Sequence, residues 1–465
     1  MDHTRIAPGD TISARLAQWG AALRFEDLSE AALKATISTV VDTVGLSLSA
    51  RHEPYARAVV DSIDADGPCS VMGRSRGLDA GGAAFANGVA AHGEDFDNTF
   101  EGCPVHSGAV IVPAILALGE RDGLDGKTVT TAIAVGIEVM CRLGLVAKKG
   151  VHAAGFHPTS VLGTVAAAGA AANAMGLSAE QTAHAYGIAG SAASGIIEYL
   201  ADGSSTKRMH AGWAAQAGIR AAMLARAGFD GPATVFEGTH GLFRAFAPSL
   251  TTPEFHHLTD GLGSRWIAAD VAFKPYACGT MTQPYIDCML NLRRQSLTPE
   301  DVASVVCEVG EGTVHRLWEP LALKQSPPSP YGAKFSTPYC LAVALVDGDA
   351  GLAQFTDERI ADARVQAVAR NVTYVVDPDN EYPANYTGHV RVNCTDGRVL
   401  EARQSCLRGG IREPMTDDEL TAKYRANTRF AGVGQPAAER LLAALLDLPA
   451  CQDLGFLKEV AHDHA

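Results

Sequence analysis

The sequence predicts a mainly α-helical protein with a smaller α+β domain inserted into it. Three observations carry this. Apolar and small residues recur at helical period from residue 11 to about 260, and again after residue 410. Between these stretches the pattern changes to short runs of period two, with a hairpin signal at Asp396-Gly397. The length, 465 residues, also exceeds what one core usually encloses. The expected division is a large all-helical domain from residues 1–262 and 408–465, and an α+β domain over residues 263–407.

Taken in order, Thr11 to about Ser49 reads as helical. Ser29 opens a run that places Leu33, Ile37, Val40, Val41, Val44 and Leu46 on one face. Residues 69–73 (CSVMG) read as a short extended piece. Gly81 to Ala91 reads as a tightly packed helix that leads into an acidic turn, His92 to Thr99, followed by His106. Val110–Gly119, Val129–Leu145 and Val161–Met175 are further apolar helices, the last preceded by residues 155–160 (GFHPTS). Ser178 and Gln181 form a capping box. Residues 202–213 (DGSSTKRMHAGW) read as a polar loop entering a helix. Ala211, Ala214, Ala215, Gly218, Ala222 and Ala225 then form a ridge of small residues that lets another helix approach closely.

In the second half, Ala303–Val309, Asn371–Val376, Gly388–Val392 and Val399–Ser405 are the expected strands, and a helix runs from Lys334 through Val346. Helical pattern returns at Thr416–Glu419 and in Ala438–Leu446. Residues 432–437 (GVGQPA) fit a GxGxxA dinucleotide pattern, but no strand precedes them and no βαβ unit surrounds them, so that reading is set aside.

Composition narrows the function. A formal charge of −14 with no compensating basic stretch excludes a nucleic-acid partner. No long apolar run is free of polar breaks, so no membrane span is expected, and residues 1–12 do not read as a signal or transit peptide. The ten cysteines include no CxxC pair, which gives no local metal or cluster spacing. Reduced thiols, a cytoplasmic location and no metal are the expectation.

Four polar islands interrupt the small-residue helices: Asp95, Asp97 and His106; His157; Lys207, Arg208 and His210; and Lys274 to Asp287. Singly, each has an ordinary reading as a cap, a structural hydrogen bond or a solvated charge. Together they supply a carboxylate, imidazoles and lysines, which suits proton transfer at a carbon next to a carboxylate. Imidazole exchanges protons near neutrality, and lysine can hold a carboxylate and offset developing enolate charge. No GxSxG elbow points to a serine nucleophile.

At these residues the chain resembles the MmgE/PrpD family. The matching stretches are 84–99 (AFANGVAAHGEDFDNT), 155–160, 194–197 (SGII) with 206–212 (TKRMHAG), 274–278 (KPYAC) with Ile286-Asp287, 333–336 (AKFS) and 408–410 (RGG). The resemblance implies a homodimer of two-domain subunits, a helical domain with a smaller α+β lid and the site between them. It implies catalysis on small di- or tricarboxylates without a metal or cofactor. By resemblance Asp95, His106, His157 and Lys207 line the site as catalytic residues. The accompanying reading gives His157 as general acid or base, Asp95 as the group orienting an imidazole, and Arg208, His210, Lys274 and Gln283 as substrate-binding residues. Dehydration of the 2-methylcitrate type is the favoured outcome, with decarboxylation of cis-aconitate, epimerisation of iminodisuccinate, or a non-catalytic binding protein as alternatives. Two departures stand out: Gln283 replaces a usual histidine, and Trp213 stands where many members have arginine. Glutamine forms hydrogen bonds but cannot carry a proton at neutral pH.

Overall fold

The computed structural model describes residues 10–461. The signal-peptide expectation for residues 1–12 therefore falls largely outside the described residues. The chain forms two compact units. Unit 1 takes in the chain up to Gly93, Asp97–Val271 and the chain from Leu420 onward; unit 2 takes in Glu94–Phe96 and Ala272–Glu419.

Unit 1 is helical. Its main helices are α1 (Ile12–Ala22), α2 (Glu30–Ser49), α3 (Ala80–His92), α4 (Ser107–Asp122), α5 (Gly126–Ala147), α6 (Pro158–Ala174), α7 (Ala179–Ala192) and α8 (Thr206–Arg226). Short polar side chains start them. Thr11, Ser29, Asp79 and Asp125 each accept a hydrogen bond from a first-turn N–H, and Ser178 with Gln181 makes the expected reciprocal box. The helical pattern of residues 11–49 is broken between Ala22 and Ser29, where Ser29 caps a new helix. The short strand lies at Asp66–Cys69, three residues before the expected position, because Asp66 and Cys69 both bridge to Leu78. Helix α8 starts at Thr206, so Lys207, Arg208 and His210 belong to its first turns rather than to a loop.

The ridge of small residues does what its spacing implies. Helix α8 packs against α3, α6 and α7. At its contact with α3, a Cβ on Gly212 would lie 2.2 Å from the Phe85 carbonyl oxygen, and one on Gly88 would lie 2.7 Å from the Gly212 Cα. Against α6, a Cβ on Gly218 would meet the Ala167 Cβ at 2.4 Å. Backbones this close leave no room for side chains, so the small residues set the separation that brings the starts of α6 and α8 together. Helices α2 and α5 are long and apolar enough to cross a membrane by length and composition; here 72% and 94% of their apolar windows are buried within the protein.

Unit 2 contains α9 (Gln283–Arg294), α10 (Thr337–Asp347) and a four-stranded sheet of β1 (Val302–Val309), β2 (Val372–Val376), β3 (Gly388–Cys394) and β4 (Val399–Gln404). The strand order is β2-β1-β3-β4, with β1 parallel to β2 and antiparallel to β3, and β3 antiparallel to β4. Gly397, at φ +88°, makes the turn between β3 and β4 that the Asp-Gly pair foretold. Helix α9 covers β3 and β4, and Gly388 lets it approach: a Cβ there would lie 2.5 Å from the Pro284 carbonyl oxygen. The chain then continues through α11 (Asp417–Phe430) to α12 (Gln435–Leu446). All ten cysteines are free thiols, and all but Cys451 are buried.

Candidate active site

Unit 1 gathers four imidazoles from the ends of four helices. His92 is the last residue of α3, His106 caps α4, His157 caps α6, and His210 lies in the second turn of α8. Their rings form a chain. Centroids are 4.9 Å apart for His92 and His106, 5.6 Å for His92 and His157, and 5.2 Å for His157 and His210. All four are buried.

The carboxylate that orients these rings is Asp97. Its Oδ2 lies 2.7 Å from His92 Nδ1, and its Oδ1 lies 3.4 Å from His106 Nδ1. A carboxylate only accepts, so His92 carries a proton on Nδ1 and turns Nε2 away from Asp97. Among the described residues, that buried His92 Nε2 has no hydrogen-bond partner. His106 reaches the same tautomer by a second route, since its Nδ1 donates to the Asn98 carbonyl at 2.9 Å. Asn98 in turn accepts from the Gly108 N–H at 2.9 Å and so fixes the loop to the start of α4. The ligand atoms of His92, Asp97 and His106 lie within 4.8 Å of one another, near enough to be considered for a metal. As arranged, Asp97 accepts the His92 N–H.

His157 and His210 face each other directly, Nδ1 to Nδ1 at 3.1 Å. One ring must donate and the other accept, so the pair shares a proton position. Burial, then the neighbouring His92 and Lys207, push the His210 pKa down to about 4. Burial first and the same neighbours next hold His157 well below the ordinary imidazole range. Both rings are thus neutral at physiological pH. The His157 backbone is fixed by its N–H donating to the Gly195 carbonyl at 2.8 Å. Gly195, at φ +110°, sits where a Cβ would come 2.7 Å from Ser160 Oγ. The Tyr199 ring stands edge-on to both imidazoles, with centroids 6.1 Å from His157 and 5.8 Å from His210.

Lys207, on the second residue of α8, acts on both rings through its charge. Arg208 has a positioning contact: its Nε donates to the Gly93 carbonyl at 2.9 Å, and its guanidinium lies 4.5 Å from the Tyr55 ring centroid. It thereby holds the first residue after His92.

In unit 2, Glu94 and Asp95 of the acidic turn each pair with a buried lysine. Lys274 Nζ lies 3.1 Å from Asp95 Oδ2 and 2.6 Å from the Asp95 carbonyl, and Lys334 Nζ lies 3.1 Å from Glu94 Oε2. Asp95 holds a left-handed backbone, φ +54°, which costs a non-glycine residue about 1 kcal/mol or more. Asp97 thus holds the position expected of an imidazole-orienting carboxylate, and Asp95 anchors the turn to Lys274. The expectation for Gln283 also changes. Its side chain is fully buried; Nε2 donates to the Tyr276 and Cys278 carbonyls at 2.8 and 3.0 Å, and Oε1 accepts the Tyr276 N–H at 3.2 Å. Both ends of the amide are spent on main chain, which makes Gln283 a clip for residues 276–278 rather than a group offered to a substrate.

A family model described as the MmgE/PrpD N-terminal domain matches residues 14–253, and one for the MmgE/PrpD C-terminal domain matches residues 276–448. The chain belongs to the MmgE/PrpD family. Among MmgE/PrpD relatives, a cis-aconitate decarboxylase-like protein of Aspergillus oryzae is 26% identical, over 98% of each chain. The cis-aconitate decarboxylase of Aspergillus terreus is 27% identical, over 89% of this chain and 88% of its own. The human cis-aconitate decarboxylase is 32% identical, over 74% of this chain and 72% of its own. Two features of the imidazole cluster escaped the sequence reading. His92, which ends α3, reads in the sequence as the first residue of the acidic turn, and Asp97 is indistinguishable from Asp95; the only signal is their joint place in that turn.

Proposed function

We propose that this MmgE/PrpD enzyme is a lyase that decarboxylates cis-aconitate or a closely related tricarboxylate. The observation that carries the proton-transfer chemistry is the buried, neutral His157–His210 pair with its shared Nδ1 contact. The choice of decarboxylation over the expected dehydration rests on the relatives, which are named as cis-aconitate decarboxylases.

The chemistry follows from these groups. The bond from a substrate carbon to one carboxylate breaks, CO2 leaves, and the electron pair stays in the conjugated skeleton until a proton joins it. A tricarboxylate brings negative charge to rings whose own burial disfavours protonation, and so raises their pKa. An imidazole then carries a proton when substrate is bound and releases it to carbon. Lys207 receives a substrate carboxylate at the start of α8, where the helix dipole also favours an anion. His92 and His106, held in one tautomer by Asp97 and Asn98, fix the neighbouring ring positions.

We extend the reading to a homodimer. Unit 1 leaves Ile196, Leu200, Met209 and Trp213 exposed within eighteen residues of chain, at 61%, 54%, 37% and 42%, a grouping suited to covering by a second copy. Incubation with cis-aconitate and with 2-methylcitrate separates the two lyase readings. Stoichiometric CO2 and a five-carbon unsaturated diacid from cis-aconitate support decarboxylation. Water loss from 2-methylcitrate without CO2 from cis-aconitate would return the reading to dehydration.

A further inference from the structure

Outside the imidazole cluster, unit 1 gathers a second set of cations, Arg51, Arg57 and Arg74, with Asp61 the carboxylate acting on Arg74. Arg51 follows the C-terminus of α2 and is 6% exposed. Its Nε donates to the ring nitrogen Nε2 of His52 at 3.0 Å. Among the described residues, its two terminal guanidinium nitrogens have no hydrogen-bond or ion-pair partner, and neither is sealed from solvent. The contrast with other arginines of the same unit is instructive. Buried Arg142 spends all three nitrogens, on the Glu138 carboxylate and on the carbonyls of His257, Asp260 and Arg265. Arg76, close in sequence, spends its own on Asp66 and the carbonyls of Val60 and Ile63.

Arg51 instead meets more positive charge. Arg74 donates to the Arg51 carbonyl at 2.6 Å. Burial and the Arg74 charge hold Arg51 below its ordinary pKa; burial and Arg57 do the same to Arg74, with Asp61 the one carboxylate acting in the opposite sense. The guanidinium is framed by two left-handed glycines. A Cβ on Gly73 (φ +71°) would lie 2.6 Å from Arg51 Cδ and 3.4 Å from Nη1, and one on Gly432 (φ +69°) would lie 3.7 Å from Nη2. Gly432 opens the glycine turn set aside above as a dinucleotide motif, and α12 begins three residues later. The C-terminal dipole of α2 favours a cation here, and the solvent-touching terminal nitrogens can meet an anion.

We propose that Arg51 and Arg74 form a binding site for a small oxyanion, a phosphate or a carboxylate group, apart from the imidazole cluster. Bound there, the oxyanion accepts the forked N–H groups of Arg51 and neutralises the Arg51–Arg74 repulsion. It joins the end of α2, the 73–74 turn and the turn before α12. Neither arginine is among the charges acting on His157 or His210, so the site does not depend on the proposed lyase chemistry.

Calorimetric titration with inorganic phosphate and, separately, with acetate tests this, at an ionic strength held constant with sodium chloride. The Lys207→Met variant, which lacks the cation proposed to receive substrate, should still bind one anion per chain as the wild-type protein does, and the anion that binds identifies the class. Arg51→Gln and Arg74→Gln should each weaken that binding about tenfold or more, as expected for loss of charge-assisted contacts. Arg74→Gln, at a half-buried position, keeps the test valid if Arg51→Gln fails to fold. Absence of binding by both anions in the wild type, unchanged binding in a folded arginine variant, or loss of binding in Lys207→Met would each overturn the proposal.

Discussion

Asp97→Asn changes one atom and should disable the cluster without dismantling it. Asp97 now accepts from His92 at 2.7 Å and faces the His106 Nδ1 at 3.4 Å. Asparagine offers one acceptor and one NH2 donor, so one of the two rings must turn a lone pair towards residue 97. His106 keeps its Nδ1 proton on the Asn98 carbonyl, which leaves His92 to change, moving its proton to Nε2. The wrong nitrogen then faces the His157 ring stacked 5.6 Å away. A positioning carboxylate of this kind acts through general acid–base catalysis, whose contribution runs to about 10²–10⁴-fold, so a loss of about 10²-fold or more in kcat is expected. Stability should change much less. A charge-assisted hydrogen bond is worth about 1.5–3 kcal/mol and a neutral one about 1, leaving a net loss of roughly 0.5–2 kcal/mol. CO2 release from cis-aconitate measures the first and urea unfolding the second. A variant that turns over within about threefold of wild type would refute the tautomer argument.

Three further outcomes follow from the same geometry. Gln283→His should lower stability by about 1–3 kcal/mol in urea unfolding, since an imidazole cannot replace three main-chain hydrogen bonds and leaves buried groups unpaired; unchanged stability with raised turnover would return Gln283 to the chemistry. Lys207→Met keeps most of the stem packing but removes a cation, so the KM for the tricarboxylate should rise about tenfold or more, an effect of roughly 1.4 kcal/mol; an unchanged KM would remove Lys207 from substrate binding. His157 and His210 are both held below the ordinary 6.5, His210 at about 4. The unfolded chain therefore binds protons that the folded chain refuses, and stability, full above pH 6.5, should fall as pH drops from 6.5 through about 4. The slope approaches 1.4 kcal/mol per pH unit for each such group. His210→Gln should flatten that acid limb, and an identical limb would contradict the assignment.

The helical architecture was legible because its causes are local. Ser29, Ser178 and the spacing of Ala214, Gly218 and Ala222 state where helices begin and how closely they pack. The strands of unit 2 were legible from alternation and the Asp396-Gly397 turn. The cluster was legible only as a set of residues, not as a set of pairs. His157 and His210 lie 53 residues apart, and their contact depends on α6 and α8 meeting along small side chains. Asp95 and Asp97 look equivalent in a turn, yet the left-handed backbone at Asp95 separates their roles, one to Lys274 and the other to imidazoles. Gln283 invited a pocket reading because it replaces a histidine. Its actual partners are carbonyls five and seven residues upstream, in a loop with no periodicity to reveal them.

The central claim is that the proton passes through the His157–His210 pair, and His157→Gln tests it most directly. Glutamine keeps a hydrogen-bonding group beside His210 Nδ1 but cannot carry a proton near neutrality. With cis-aconitate, kcat measured as CO2 release should fall by about 10²–10⁴-fold while calorimetric affinity for the substrate stays within about threefold of wild type. A His157→Gln enzyme with wild-type kcat would place the proton transfer elsewhere and contradict the account.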